Sequence, residues 1–144
     1  MTEEIIAQQV TLTREAEGVY LARNGRGAEY RFGYNVDDAL SSVELLMAAI
    51  AGCSATDVDM MTSRRAEPTT FEVTVDAEKV GGSTPAFLRN IDVLFDTLFP
   101  AGEDGDKARA RVGAALKAAE EKTCTVSRTV SEGSPVTLRT VSDS

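Results

Sequence analysis

The chain has 144 residues, 42% hydrophobic and 26% charged, which suits one soluble domain, 1–144, with a real core. Lys and Arg number 15 against 23 Asp and Glu, so the net charge of −8 disfavours nucleic acid and anionic membrane surfaces as partners. With no histidine and only two cysteines, Ser-His-Asp and Cys-His catalysis, His-based metal centres and a four-thiolate zinc site are excluded. Any chemistry must run on Cys, Arg, Asp, Glu or Tyr.

The start, Met1-Thr2-Glu3-Glu4, has neither the basic nor the apolar region of a secretory signal. The longest apolar stretch, Leu45 to Cys53, is too short to span a bilayer. A cytoplasmic location is expected, where thiols stay reduced.

Three short runs rich in Val, Leu, Tyr and Phe come first, near residues 5–13, 18–23 and 28–34. Asn24-Gly25-Arg26-Gly27 is a turn signal, so Val19–Arg23 and Ala28–Phe32 read as a hairpin. Residues 35–41 read as a loop. A helix is predicted from Ser42 to about Arg65. Ser41 and Glu44 fit a capping box at its start, Arg64 and Arg65 suit its dipole at the end, and Pro68 blocks continuation. From Leu45 to Ala51 this helix is apolar on every side, which predicts a buried central helix. So short a chain cannot easily cover such a helix alone, so a partner subunit is expected to complete the core.

Phe71, Val73 and Val75 alternate with polar residues, as do Ile91, Val93 and Phe95. Both runs predict half-buried strands joined through Gly81-Gly82-Ser83-Thr84-Pro85. Residues 105–122 predict a second helix, with Val112, Leu116 and Ala119 on one face, and 124–130 a short third one. Val136–Val141 reads as a last strand, followed by a frayed polar tail. This mixture indicates the α+β class.

The chemistry is concentrated in two segments. Cys53 lies in Glu44-Leu-Leu-Met-Ala-Ala-Ile-Ala-Gly-Cys53-Ser-Ala-Thr-Asp57-Val, and Cys124 in Glu121-Lys-Thr-Cys124-Thr-Val-Ser-Arg128. Without their surroundings, two distant cysteines are ordinarily independent buried small hydrophobes. The surroundings change that reading. Residues 42–65 closely resemble the central helix of the OsmC/Ohr superfamily, of the pattern Pro-x-Glu-Leu-Leu-x-Ala-Ala-x-x-Gly-Cys-x-x-x-Asp-Val. Residues 120–128 resemble its second motif, Glu-Lys-x-Cys-x-Val, and Pro85-Ala-Phe87 resembles the family's entry to a strand.

The resemblance implies an OsmC-like fold, with mixed sheets wrapped around the long central helices of an intertwined homodimer and sites at the subunit interface. It further implies a thiol-dependent peroxidase that reduces organic hydroperoxides in oxidative-stress defence. Cys53 would be the peroxidatic residue and Cys124 the resolving one, following the usual cysteine oxidation ladder. No bound cofactor is implied, only an external dithiol reductant of the dihydrolipoyl or thioredoxin type.

The match has departures. The peroxidase branches carry a carboxylate ten residues before the first cysteine, and here that residue is Val43. Glu44 comes nine residues before, about 900° around a continuous helix and so opposite Cys53. It serves the thiol only if the helix starts later or the partner contributes; otherwise it is a capping carboxylate. Asp57, four residues after Cys53, shares its helical face and raises the thiol pKa unless a cation intervenes. A structural Asp57, bonded to backbone or arginine, is the equal alternative. Thiolate activation calls for a cation. Arg14, Arg23, Arg26 and Arg31 are available, each ordinarily a solvated charge. Arg14 is the first choice because it precedes the Glu17-Gly18 turn. Arg128, four residues after Cys124, is a candidate to acidify that second thiol.

These departures resemble a less characterised OsmC-like branch outside classical Ohr. Two other functions therefore stand beside the peroxidase. One is an OsmC-fold protein binding a small apolar or acyl ligand at the dimer interface; the other is a stress-linked structural dimer with inert cysteines. The separation of the two sulfurs discriminates among them.

Overall fold

A computed structural model describes residues 3–82 and 85–141. Three antiparallel strands, a long helix, a two-stranded hairpin and two further helices follow one another along the chain, an α+β arrangement. The chain divides into two compact units, Met1–Leu46 and Met47–Ser144, with the division inside the long helix.

In the first unit, β1 (Val10–Ala16), β2 (Val19–Asn24) and β3 (Glu29–Phe32) form a meander in the order β1-β2-β3. The first strand starts later than the sequence suggests, and residues 5–9 have no strand partner. Gly18, with φ of 72°, makes the tight turn between β1 and β2, a conformation that costs glycine nothing. The β2–β3 hairpin falls where the turn signal placed it. Asn24 Oδ1 accepts the backbone N–H groups of Arg26 and Ala28, each at 3.0 Å. Arg23 and Glu29, paired across the hairpin, form an ion pair, and Arg31 Nε donates to Glu15 Oε1 at 2.5 Å.

Helix α1 runs Ser42–Ser63. Its start is a complete capping box: Glu44 N–H donates to Ser41 Oγ at 3.1 Å, and Ser41 N–H donates to Glu44 Oε1 at 2.8 Å. The expectation of all-round burial is not met in the single chain. Only Ile50, Ser54, Val58 and Thr62 are buried, one stripe at four-residue spacing, while Leu46 and Met60 are 40% and 55% exposed. The other apolar residues of the helix are half-buried or exposed. At 22 residues, with a mean hydropathy of 1.2, α1 is also long and apolar enough by composition to cross a bilayer, more than the Leu45–Cys53 stretch alone suggests. It nevertheless carries Asp57 and Asp59, and carboxylates are costly in hydrocarbon.

In the second unit, β4 (Thr70–Val80) and β5 (Phe87–Leu98) form an antiparallel hairpin, longer than the predicted alternating runs. Val73 faces Phe95 and Val75 faces Val93 in register, and the rings of Phe71 and Phe95 meet edge-on at 6.3 Å. A bulge between Asp76 and Glu78 lies in register with the positive-φ Asn90 on β5, whose side chain donates to Glu78 Oε1 at 2.6 Å. Ser83 and Thr84 of the predicted turn lie outside the described residues, as does the tail after Val141.

Helix α2 (Glu103–Ala118) buries Gly105, Ala108 and Ala115. Small residues on that face allow close approach. The single helix predicted over 105–122 is in fact interrupted. Residues Ala119–Thr123 form a π-helical turn, closed by Cys124 N–H donating to Ala119 O at 3.1 Å. The short helix α3 (Thr125–Glu132) follows and ends at Gly133 in the left-handed conformation.

The last predicted strand, Val136–Val141, is a correction. The segment has no strand partner, and Val136 and Leu138 are 83% and 90% exposed. A strand exists only by pairing, and among the described residues this segment pairs with none.

Candidate thiol site

The second unit brings the two cysteines together. Cys53 lies on α1, one residue before the buried Ser54. Cys124 is the N-cap of α3, at the end of the π-helical turn, and is only 1% exposed, whereas Cys53 is half-buried. Both are free thiols.

Each sulfur has a defined set of polar neighbours. Cys124 Sγ lies 3.1 Å from Ser127 Oγ and 3.6 Å from Ser54 Oγ. As a thiol it donates to one of these hydroxyls; as a thiolate it accepts from them. Burial pushes the Cys124 thiol up. The Ser127 hydroxyl, the Cys53 thiol, the Ser54 hydroxyl and the Ser127 N–H together outweigh that, so its pKa falls below the ordinary cysteine value. Cys53 moves the other way. Burial raises it, and hydrogen bonding to Cys124 and the Cys124 charge raise it further, against the N–H groups of Val126 and Thr125, which favour the thiolate. The N-terminus of α3 therefore faces both sulfurs. Of the two thiols, Cys124 is therefore the more acidic.

Asp57, one helical turn beyond Cys53, is half-buried. Its Oδ2 accepts the Thr123 hydroxyl at 2.7 Å. Among the described residues of the second unit no arginine pairs with it, so its bonding partner is a side chain of the π-helical turn. Arg128 is likewise turned away from the thiols: its guanidinium donates to the Glu121 carbonyl and pairs with Glu132 at 3.6 Å. Glu44 and Arg14 belong to the first unit. Glu44 is the capping carboxylate of α1. Arg14 is an exposed residue of β1, in register with Tyr20. Arg23 and Arg31 are held by Glu29 and Glu15.

Sequence reasoning missed Ser54, Ser127 and Thr123. Ser127 stands three residues after Cys124 at a helix start, the spacing at which a side chain meets a capping residue, and that signal was available. Thr123 carried none. A cavity of about 420 Å³ lies beside Cys124, and Cys53 is not among the residues that line it. Ile91, Val93 and Phe95 of β5 and Leu116 of α2 are its apolar lining, and Ser54, Asp92, Glu120, Cys124 and Ser127 its polar lining.

The family model of OsmC-like proteins matches residues 35–139. The chain belongs to the OsmC-like family. Both cysteine segments fall inside the match.

Solved structures agree at the level of fold. An OsmC-like protein of unknown function from Vibrio cholerae superposes with a TM-score of 0.69 at 8% identity, covering 87% of this chain and 94% of its own. A hypothetical protein from Aquifex aeolicus gives 0.70 at 22% identity, covering 90% and 91%. An OsmC-like protein from Mycoplasma pneumoniae gives 0.66 at 11%, covering 89% of each chain. No curated protein matches. At these identities the likeness to the OsmC-like structures concerns fold alone.

Proposed function

We propose that this OsmC-like protein is a thiol-dependent peroxidase, reducing organic hydroperoxides through Cys53 and Cys124. The observation that carries the reading is the meeting of the two thiols at the N-terminus of α3, one half-buried and one buried. Independent core cysteines have no reason to hydrogen-bond to each other at one helix terminus.

In this mechanism the Cys53 proton passes to Cys124, and the N–H groups of Thr125 and Val126 stabilise the emerging Cys53 thiolate. The thiolate attacks the terminal oxygen of ROOH. The O–O bond breaks, sulfur takes the OH, and the departing alkoxide takes up the proton to leave as ROH. Cys124 then attacks the sulfur of the Cys53 sulfenic acid. The S–O bond breaks, hydroxide leaves and takes up a proton from solvent to become water, and a disulfide forms. An external dithiol reduces it by two successive exchanges. No arginine or added carboxylate is required for the proton transfer, because Cys124 is itself the acceptor. Ile91, Val93, Phe95 and Leu116 beside Cys124 favour an organic over an inorganic peroxide, in a cavity that Asp92 and Glu120 also line.

The chain is proposed to act as a cytoplasmic homodimer. The exposed faces of α1 and the unpaired, apolar 136–141 segment support a second copy. The same cavity favours one alternative, an OsmC-fold protein that holds a small apolar or acyl group beside Cys124 without turnover.

The test is consumption of cumene hydroperoxide and of hydrogen peroxide with dihydrolipoamide or thioredoxin as reductant. Wild type should turn over with the organic peroxide preferred, Cys53→Ser should be inactive, and Cys124→Ser should oxidise once and fail to recycle through a disulfide. Equal turnover in wild type and Cys53→Ser would refute the assignment. Retention of a fatty acyl probe with no peroxide consumption would favour the binding reading.

A further inference from the structure

Asp57 and Thr123 are 66 residues apart in sequence and meet at 2.7 Å. Each is next to a cysteine in a structural sense. Asp57 is one helical turn beyond Cys53 on the same face of α1, and Thr123 is the residue before Cys124. Thr123 ends the π-helical turn, and its hydroxyl also lies 3.1 Å from Ala118 O at the end of α2. A π-helical turn is a strained insertion in a helix and has to be held by its surroundings. Here the holder is a carboxylate on the helix that carries the other thiol.

We infer that Asp57 is a positioning residue: by accepting the Thr123 hydroxyl it fixes the π-helical turn so that Cys124 stands within reach of Cys53 for disulfide closure. The inference rests on the proposed thiol-pair reading for its biological use, but the closure it describes is testable without any peroxide. Asp57 touches neither sulfur in this role. It reduces the freedom of the segment that delivers Cys124, so the two sulfurs approach without first ordering residues 119–124. This also accounts for a carboxylate so close to a thiol that must ionise, since its charge is engaged by a hydroxyl donor.

A stepwise reaction with the aromatic disulfide DTNB separates closure from first attack. In the first phase the more accessible Cys53 thiolate attacks the reagent, forming a mixed disulfide and releasing one thionitrobenzoate. In the second, Cys124 attacks the Cys53 sulfur, the protein disulfide forms, and the second thionitrobenzoate leaves. The second phase is intramolecular and independent of reagent concentration. Asp57→Ala and Thr123→Val should each slow it about tenfold, the scale of one lost charge-assisted hydrogen bond, and leave the first phase within twofold. The double variant should be no slower than either single one, and Asp57→Asn and Thr123→Ser, which keep an acceptor and a donor, should restore the rate. Thr123→Val is nearly isosteric and keeps the test available if Asp57→Ala misfolds. Unchanged second phases in both Asp57→Ala and Thr123→Val would overturn the inference, as would an equal change in both phases, which marks general loosening. Peroxide consumption by wild type, run in parallel, reports on the peroxidase reading separately.

Discussion

Cys53 and Cys124 share a helix terminus, yet their surroundings pull their acidities apart, with Cys53 raised and Cys124 lowered. The sign of several changes follows. Removing Cys124 takes away a charge and a hydrogen bond that both raise Cys53, so Cys124→Ala should lower the pKa of Cys53. Ser127→Ala removes the largest stabiliser of the Cys124 thiolate, so Cys124 should titrate at higher pH. Thiolate ultraviolet absorbance against pH, in single-cysteine and Ser127→Ala proteins, checks both; a Cys53 curve displaced to higher pH in Cys124→Ala would contradict this account. Because the Cys53 pKa is raised, first-step reactivity in wild type should still be climbing through mildly alkaline pH. Both sulfurs were legible as candidates, because the motif residues around them are side chains. What tunes Cys53 was not: the N–H groups of Thr125 and Val126 are backbone, and backbone donors carry no sequence signature, whereas the Ser127 hydroxyl that lowers Cys124 did carry one. The expected arginine partner of Asp57 illustrates the same limit, since a threonine hydroxyl 66 residues away fills that place.

Local chemistry explains where the elements agree with the sequence and where they do not. The Ser41–Glu44 box and the Asn24 turn depend on neighbours in the chain, and both were legible. Ser41→Ala should cost about 1 kcal/mol, from the loss of a capping hydroxyl. Gly133→Ala should cost a similar amount, about 1 kcal/mol, because φ of 68° is strained for any residue with a Cβ. Both would be read as shifts of the denaturant midpoint at constant slope; no shift in Ser41→Ala would show that water replaces the cap without loss. The π-helical turn was not legible, since Ala119-Glu-Glu-Lys-Thr123 has the composition of ordinary helix. Its cause is tertiary: Thr123 is drawn to Asp57. The missing strand at 136–141 is the converse case, where an alternating pattern is present but the segment pairs with no strand among the described residues.

At the scale of the whole molecule, α1 displays apolar residues on faces that a single copy leaves open, and Leu94 and Leu98 of β5 are 62% and 55% exposed. Under the proposed homodimer these surfaces are covered, and stability depends on association. The melting midpoint should rise with protein concentration, and light scattering at micromolar concentration should give twice the chain mass; a monomer with a concentration-independent melt would remove the dimer from the account. The central claim is that the two thiols act as one redox centre. The most direct measurement is mass spectrometry of the protein after one equivalent of cumene hydroperoxide, with free thiols blocked. Wild type should yield a Cys53–Cys124 disulfide, and Cys124→Ser a Cys53 sulfenic acid. Two unmodified thiols with the peroxide intact, or oxidation of Cys124→Ser at a residue other than Cys53, would contradict this claim.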